Sequence, residues 1–209
     1  QAEIRADMFQ GGTLANSGNL VARYSFNEGT GTAIDNSETT AGRDLVLSDV
    51  GGWAGAGTFT YGTSTLVMSG SSKTFSFLDN EQIYNLTISG SYTLDGINDS
   101  SAELYCNGDI NITGTATSSD ILSANAGGKT VTLSGTTTGL SKLRTRHTSG
   151  TVSIGGSAAT VQTLNTLGSG GTALATADIT CTTELQIDSG TTFNANGNTI
   201  TALTLDVNG

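Results

Sequence analysis

The chain has no proline in 209 residues, where about ten would be usual for that length. Proline removes a donor from a strand ladder and is excluded from central strands. Its absence therefore fits a chain whose segments pair on both sides. Positive charge is scarce too: eight Lys and Arg stand against eighteen Asp and Glu, for a net charge of −10. That excludes a surface built to neutralise phosphates, so no nucleic-acid partner is expected. No apolar run approaches the ~18 residues of a membrane span, and no membrane partner is expected. A basic-then-apolar signal segment is missing at the start. The chain opens on Gln1, as expected of a processed chain or a piece of a longer one.

Thr, Ser, Gly and Asn fill the space left by a 35% apolar and 12% charged composition. Abundant Thr, Val and Ile suit strands, and Gly and Asn suit tight turns. No stretch of ten residues has helical apolar spacing with sensible caps. A short pattern recurs instead: apolar, any residue, apolar, a small polar residue, and soon a Gly. Copies are Leu66-Val67-Met68-Ser69-Gly70, Leu86-Thr87-Ile88-Ser89-Gly90, Ile110-Asn111-Ile112-Thr113-Gly114, Val131-Thr132-Leu133-Ser134-Gly135, Val152-Ser153-Ile154-Gly155-Gly156, Leu185-Gln186-Ile187-Asp188-Ser189-Gly190 and Leu205-Asp206-Val207-Asn208-Gly209. Successive second apolar residues are 20, 24, 21 and 21 apart from Met68 to Ile154, and 20 apart from Ile187 to Val207. The gap of 33 between Ile154 and Ile187 calls for a degenerate copy at Leu174-Ala175-Thr176 or a long loop. Leu45-Val46-Leu47 stands one period before Met68, and Tyr24-Ser25-Phe26 one period earlier still.

Apolar residues two apart point to one face of a strand, with the residue between them pointing away. A following Gly permits positive φ in a turn. A unit of ~20 residues cannot bury its own apolar face, so units must stack. The expected fold class is all-β, a β-solenoid (β-helix) of about 20–24-residue rungs. A β-sandwich with two strands per repeat is the alternative. In the solenoid, Met68, Ile88, Ile112, Leu133, Ile154, Ile187 and Val207 should form one inward column, each preceded by an exposed residue. The repeat region is expected over 63–209, after an N-terminal β region at 1–62.

Residues 24–37, Tyr24-Ser25-Phe26-Asn27-Glu28-Gly29-Thr30-Gly31-Thr32-Ala33-Ile34-Asp35-Asn36-Ser37, resemble the opening strand motif of laminin-G-like, concanavalin-type jelly rolls. Leu45-Val46-Leu47 and Trp53-Ala54-Gly55 continue that pattern loosely. The resemblance implies a jelly-roll-like N-terminal part, or first rungs that have absorbed it. Tyr84-Asn85-Leu86-Thr87-Ile88-Ser89-Gly90 and residues 185–200, from Leu185-Gln186-Ile187 to Asn196-Gly197-Asn198-Thr199-Ile200, are similar to repeats of large surface and virion proteins. Together the two stretches resemble tail-fibre and appendage proteins of bacteriophages. The resemblance implies a structural or adhesive role in a virion and carries over no catalytic residue.

Little in the chain points to chemistry. The one histidine, His147, has no metal-ligand spacing around it, and no carboxylate pair recurs at matching rung positions. Neither a catalytic residue nor a cofactor is expected. Lys142, Arg144 and Arg146 alternate, which puts three of the eight cations on one strand face. That patch reads either as an ordinary solvated face or as a contact for an acidic glycan or neighbouring subunit. Asp95-Gly96-Ile97-Asn98-Asp99 reads as an Asx turn before a calcium loop. Trp53, Tyr61 and Tyr84 are candidates for sugar stacking or for core packing.

The expected function is thus a non-enzymatic virion structural protein, a segment of a phage fibre or appendage, serving assembly and attachment to a host-surface glycan. The alternatives are a secreted bacterial adhesin and a carbohydrate-binding or depolymerising β-helix, both extracellular. Partners are other virion proteins and further copies of the chain, with a trimer as the first expectation. The repeat breaks off at Val207-Asn208-Gly209, so another chain or downstream sequence should cover that end. Cys106 and Cys181 each lie six residues before an Ile of the repeat and should occupy the same slot in rungs three or four apart. Thiols about 14–19 Å apart cannot bridge. Two free cysteines suit assembly in a reducing compartment.

Overall fold

The computed structural model describes residues 62–208 apart from 98, 100 and 158, together with the backbone of three short strands before them. In chain order the strands are β1 (Tyr24–Ser25), β2 (Asp35–Asn36), β3 (Leu45–Leu47), β4 (Thr65–Met68), β5 (Lys73–Phe77), β6 (Gln82–Ile83), β7 (Asn85–Ile88), β8 (Ser91–Gly96), β9 (Glu103–Cys106), β10 (Ile110–Ile112), β11 (Thr115–Ala124), β12 (Lys129–Leu133), β13 (Thr136–Arg146), β14 (Thr151–Gly155), β15 (Thr160–Leu167), β16 (Thr172–Ala175), β17 (Ile179–Ile187), β18 (Thr192–Asn194) and β19 (Ile200–Val207). No helix occurs among the described residues.

The strands stack as a β-solenoid. One sheet runs β18-β16-β14-β12-β10-β7-β4-β3 and a second runs β19-β17-β15-β13-β11-β8-β5, with β6 and β9 joined to its flank. Every pairing in both sheets is parallel; the β1–β2 pair alone is antiparallel. Parallel neighbours in register exclude the sandwich of hairpins. A rung is one strand of the first sheet followed by one of the second, and seven rungs follow β3, from β4–β5–β6 to β18–β19.

The long second-sheet strands are two segments joined by a bend. The first part of β11 (Thr115 to Ser118) lies on β8, and its second part (Ile121 to Ala124) lies on β9, with a register break between Ser118 and Ile121. Side chains supply the hydrogen bonds that the ladder loses there. Ser118 Oγ donates to Leu94 O at 2.8 Å and accepts from Asp120 N at 2.9 Å, while Asp120 Oδ2 accepts from Gly96 N at 2.7 Å. In the rung below, the same corner is a longer loop. Asp99 Oδ1 accepts from Ser101 N at 2.9 Å and from Ser101 Oγ at 2.8 Å, which is the Asx turn expected within Asp95–Asp99.

The core is a set of inward columns, and the single column expected from the repeat has to be corrected. Leu66, Leu86, Ile110 and Val131 stand in one line, and Met68, Ile88, Ile112 and Leu133 in the next; all eight are buried. Val67, Thr87, Asn111 and Thr132, which alternate with them, are half-buried on the outer side. At β14 the register slips by two: Val131, not Leu133, pairs with Ile154, and Ile154 pairs with Ala175. Gly156 lies against Leu133, and a Cβ on it would meet Leu133 O at 2.3 Å. Ile187 and Val207 belong to the other sheet. There Leu104, Leu122, Leu143, Leu164, Leu185 and Leu205 form one column, and Cys106, Ala124, Thr145, Thr166, Ile187 and Val207 form the next. Ile187 is half-buried and Val207 exposed.

The recurring glycine also needs a second explanation. Gly156 and Gly190 do have positive φ, but Gly90, Gly114 and Gly135 sit where the chain turns from the first sheet to the second and have no room for a side chain. A Cβ on Gly90 would fall 1.8 Å from Gly70 O, one on Gly114 2.0 Å from Gly90 O, and one on Gly135 1.8 Å from Gly114 O. The same carbonyls accept from the next rung: Ser91 N to Gly70 O at 2.9 Å, Thr115 N to Gly90 O at 2.8 Å and Thr136 N to Gly114 O at 2.8 Å. Stacked glycines let the corner backbones approach closely enough to make these bonds.

The division of the chain at 62/63 meets one observation. β3 pairs with β4 in parallel, Leu47 opposite Met68, so the first sheet extends back across that boundary. The remainder of 1–61, including Trp53, Tyr61 and most of the laminin-G-like stretch, lies outside the described residues.

Candidate functional site

The polar face formed by β9, β13, β15 and β17 holds both ion pairs found among the described residues. Strand alternation dictates its membership. With Leu104, Leu122, Leu143, Leu164 and Leu185 pointing in, their neighbours Glu103, Tyr105, Arg144, Asn165 and Gln186 point out. Parallel register then stacks Tyr105, Ser123, Arg144, Asn165 and Gln186 in one outer line.

Arg144 and Arg146 converge on a single carboxylate two rungs away. Arg144 Nη1 lies 2.8 Å from Glu103 Oε2 and Arg146 Nη1 lies 3.3 Å from the same oxygen. The Glu103 side chain is 7% exposed, that of Arg144 16% and that of Arg146 44%. Arg144 Nε also donates to Asn165 Oδ1 at 2.8 Å, and Asn165 Nδ2 donates to Asp188 Oδ2 at 3.2 Å. Arg146 hydrogen-bonds the Tyr105 hydroxyl, and its guanidinium carbon lies 5.3 Å from the centre of that ring. Tyr105 donates in turn to Asn80 Oδ1 at 2.9 Å. Burial first, then the Glu103 charge, raises the Tyr105 hydroxyl above its ordinary value, which keeps it a donor. The long side chains lie flat along the face, so that Asn165 and Ser123 are buried although they point outward.

Of the three expected patch residues, two are therefore drawn into ion pairs, and Lys142 stands half-buried beside them. The face is a brace across rungs two to six more than an open positive surface. The sequence reading missed Glu103 and Tyr105. The signal was present, since Glu103 pairs with Ile121 and Ile121 with Lys142, placing Glu103 two periods below the basic cluster.

The remaining candidates are dispersed. His147 is buried, its Nε2 3.2 Å from Thr172 O; a carbonyl only accepts, so Nε2 carries the proton. Lys129 Nζ reaches the Tyr84 hydroxyl at 3.2 Å and lies 5.1 Å from that ring's centre, so Tyr84 is tied to its own chain. Cys106 and Cys181 are buried and unbridged. They lie in the second and sixth rungs but not in matching slots, which corrects the expected alignment. Cys106 pairs with Ile83 and Ala124, whereas Cys181 pairs with Val161 and Ala202 in the other segment of the second sheet. Burial pushes the Cys106 thiol up to about 12 and the Cys181 thiol up to about 11. Among the described residues, no group of three or more His, Cys, Asp or Glu is placed to hold a metal ion. Comparison of the chain with family models, with curated proteins and with solved structures gave no match.

Proposed function

We propose that this chain is a non-enzymatic structural module, a stiff segment of a larger fibre or appendage, and that the particle it serves is a virion of the bacteriophage type. The observation that supports the reading most is the uninterrupted stack of parallel rungs, in which the apolar side chains fill inward columns and the charged ones brace neighbouring rungs. Such a stack transmits position along its length and grows by adding rungs. Buried, unbridged thiols agree with assembly in a reducing compartment, which favours a virion over a secreted adhesin. Further copies of the chain, with a trimer as the first expectation, and other virion proteins are the proposed partners. A surface glycan remains a proposed ligand of the host-facing part of such an assembly, with Lys142 the cation of the patch left to meet it. The test is immunogold labelling with an antibody raised against the folded chain. Label along fibres of intact particles supports the reading; label confined to bacterial cell surfaces, or turnover of a polysaccharide by the purified chain, overturns it.

A further inference from the structure

A buried acidic side chain lies at the corner where β11 bends. Asp120 is 1% exposed. Its Oδ2 accepts from Gly96 N at 2.7 Å and from Ser119 Oγ at 3.4 Å, but its Oδ1 is buried with no hydrogen-bond partner. Both ion pairs found among the described residues fall on Glu103, so no cationic side chain among them answers the Asp120 carboxylate. A buried carboxylate is strongly disfavoured when it is left unpaired. The rung beneath brings a second oxygen to the same place. A Cβ on Gly96 would meet Ala102 Cβ at 2.3 Å, Asp99 O at 2.9 Å and Asp120 Cγ at 3.2 Å. The bare backbone of Gly96 is thus where the carbonyl of Asp99 and the carboxylate of Asp120 come together. Asp99 O accepts no hydrogen bond from any described residue, and Asp99 is exposed, so water reaches the place from that side.

We propose that this corner binds a divalent cation of the calcium class, held by Asp120 Oδ1 and Asp99 O, with water completing the shell. Carboxylate, carbonyl and water oxygens are the ligands of hard cations, and calcium accepts such mixed, flexible sets. The loop that carries Asp99 is fixed on both sides: Ile97 N donates to Phe77 O at 2.8 Å, and Ala102 O accepts from Ile121 N at 2.9 Å. Asp95, next to Gly96, is exposed and adds negative potential at the mouth. The site has one carboxylate, unlike the sets of three or more side-chain ligands that are missing among the described residues. Its affinity is accordingly low, with Kd on the order of 10⁻³ M. An ion held there ties the second rung to the third where the ladder of β11 breaks.

Thermal unfolding of the 209-residue chain in about 0.15 M sodium chloride, with EDTA or with calcium chloride up to about 10 mM, tests this. Expected is a rise of about 3–6 °C in the midpoint at tenfold excess over Kd. Asp95→Asn removes the same charge from the surface nearby and should respond as the parent does. Asp120→Asn keeps an acceptor for Gly96 N and puts an amide donor where the orphan oxygen stood. Its midpoint should be the same with and without calcium. A parent midpoint that ignores calcium overturns the proposal. So does an equal rise in Asp120→Asn, which would mark general screening of an acidic surface. Equilibrium dialysis of the parent chain against radioactive calcium gives a reading that needs no variant. One ion per chain, saturating, supports the site; uptake that only grows in proportion to concentration overturns it. The outcome is independent of the particle-labelling test, so the two readings fail separately.

Discussion

At the scale of single residues, the energetics concentrate on Glu103. One oxygen of its carboxylate takes two guanidinium groups, and the other, Oε1, is buried without a hydrogen-bond partner. Removing one member of a buried pair leaves the other desolvated and uncompensated, at a cost of about 3–5 kcal/mol, whereas an exposed pair contributes about 0–1 kcal/mol. Glu103→Ala should therefore cost about 3 kcal/mol in urea unfolding, through the stranded Arg144. Arg146→Ala, whose side chain is 44% exposed, should cost less than about 1 kcal/mol. Equal losses would mean that the face is not a brace. The thiols make a second residue-scale prediction. An unfolded thiol titrates near 8.5, and burial holds Cys106 at about 12 and Cys181 at about 11. Both are raised, so their contribution to stability is undiminished below about pH 8.5 and is lost as pH rises towards the folded values, where the unfolded chain has given up protons that the native state retains. Cys106→Ala should flatten the alkaline fall of the urea midpoint. At pH 8 a thiol reagent should label neither cysteine in the native chain and both after denaturation.

The period and its inward-outward alternation were legible at the scale of the element, because strand faces repeat every two residues and rungs about every 21. The assignment of each copy to a sheet was not. Leu-x-Ile serves as an inward pair in both sheets, so Leu185-Gln186-Ile187 was placed in one column with Ile154 when it belongs to the second sheet. The true successor in the first sheet is β16, whose inward residues are Ala173 and Ala175. The degenerate copy expected at Leu174-Ala175-Thr176 is this strand, one residue out of phase: Ala173 and Ala175 point inward and Leu174 outward. The break in register at Gly156 was equally invisible, since a glycine in the motif could mean positive φ or want of space. Glycines of the second kind give a prediction. Gly114→Ala would drive a methyl group to 2.0 Å from the carbonyl oxygen of Gly90, and backbone cannot swing aside as a flexible side chain does. Overpacking typically costs about 1–3 kcal/mol, and displacement of the Thr115 N bond to Gly90 O adds to it. A midpoint within error of the parent's in urea titration would show that the corner can open.

For the whole molecule, stability should be graded along the axis. In the 209-residue chain the interior strands have a neighbour on both sides and β18 and β19 on one, so opening free energies in this stack should fall towards β18 and β19. Native-state hydrogen exchange of the 209-residue chain should find the slowest amides in β10 to β15 and the fastest among the described strands in β18 and β19. Uniform protection through β19 would contradict that gradient.

The spacing between stacked partners bears on how quickly such a molecule can form. Across both sheets, paired residues are separated by 18 in the case of Glu103 and Ile121 and by up to 24 in the case of Leu86 and Ile110. In a chain of 209 residues that is a relative contact order of about 0.1, a value ordinarily seen in helical bundles and well below that of β-sandwiches. Each turn of the coil needs only the turn before it as a template. The chain can wind up from its N-terminal side while the rest is still being synthesised, and never has to search for a strand a hundred residues away. An all-β protein built in this way should fold with a smaller loop-closure cost per rung than a β-sandwich of the same length.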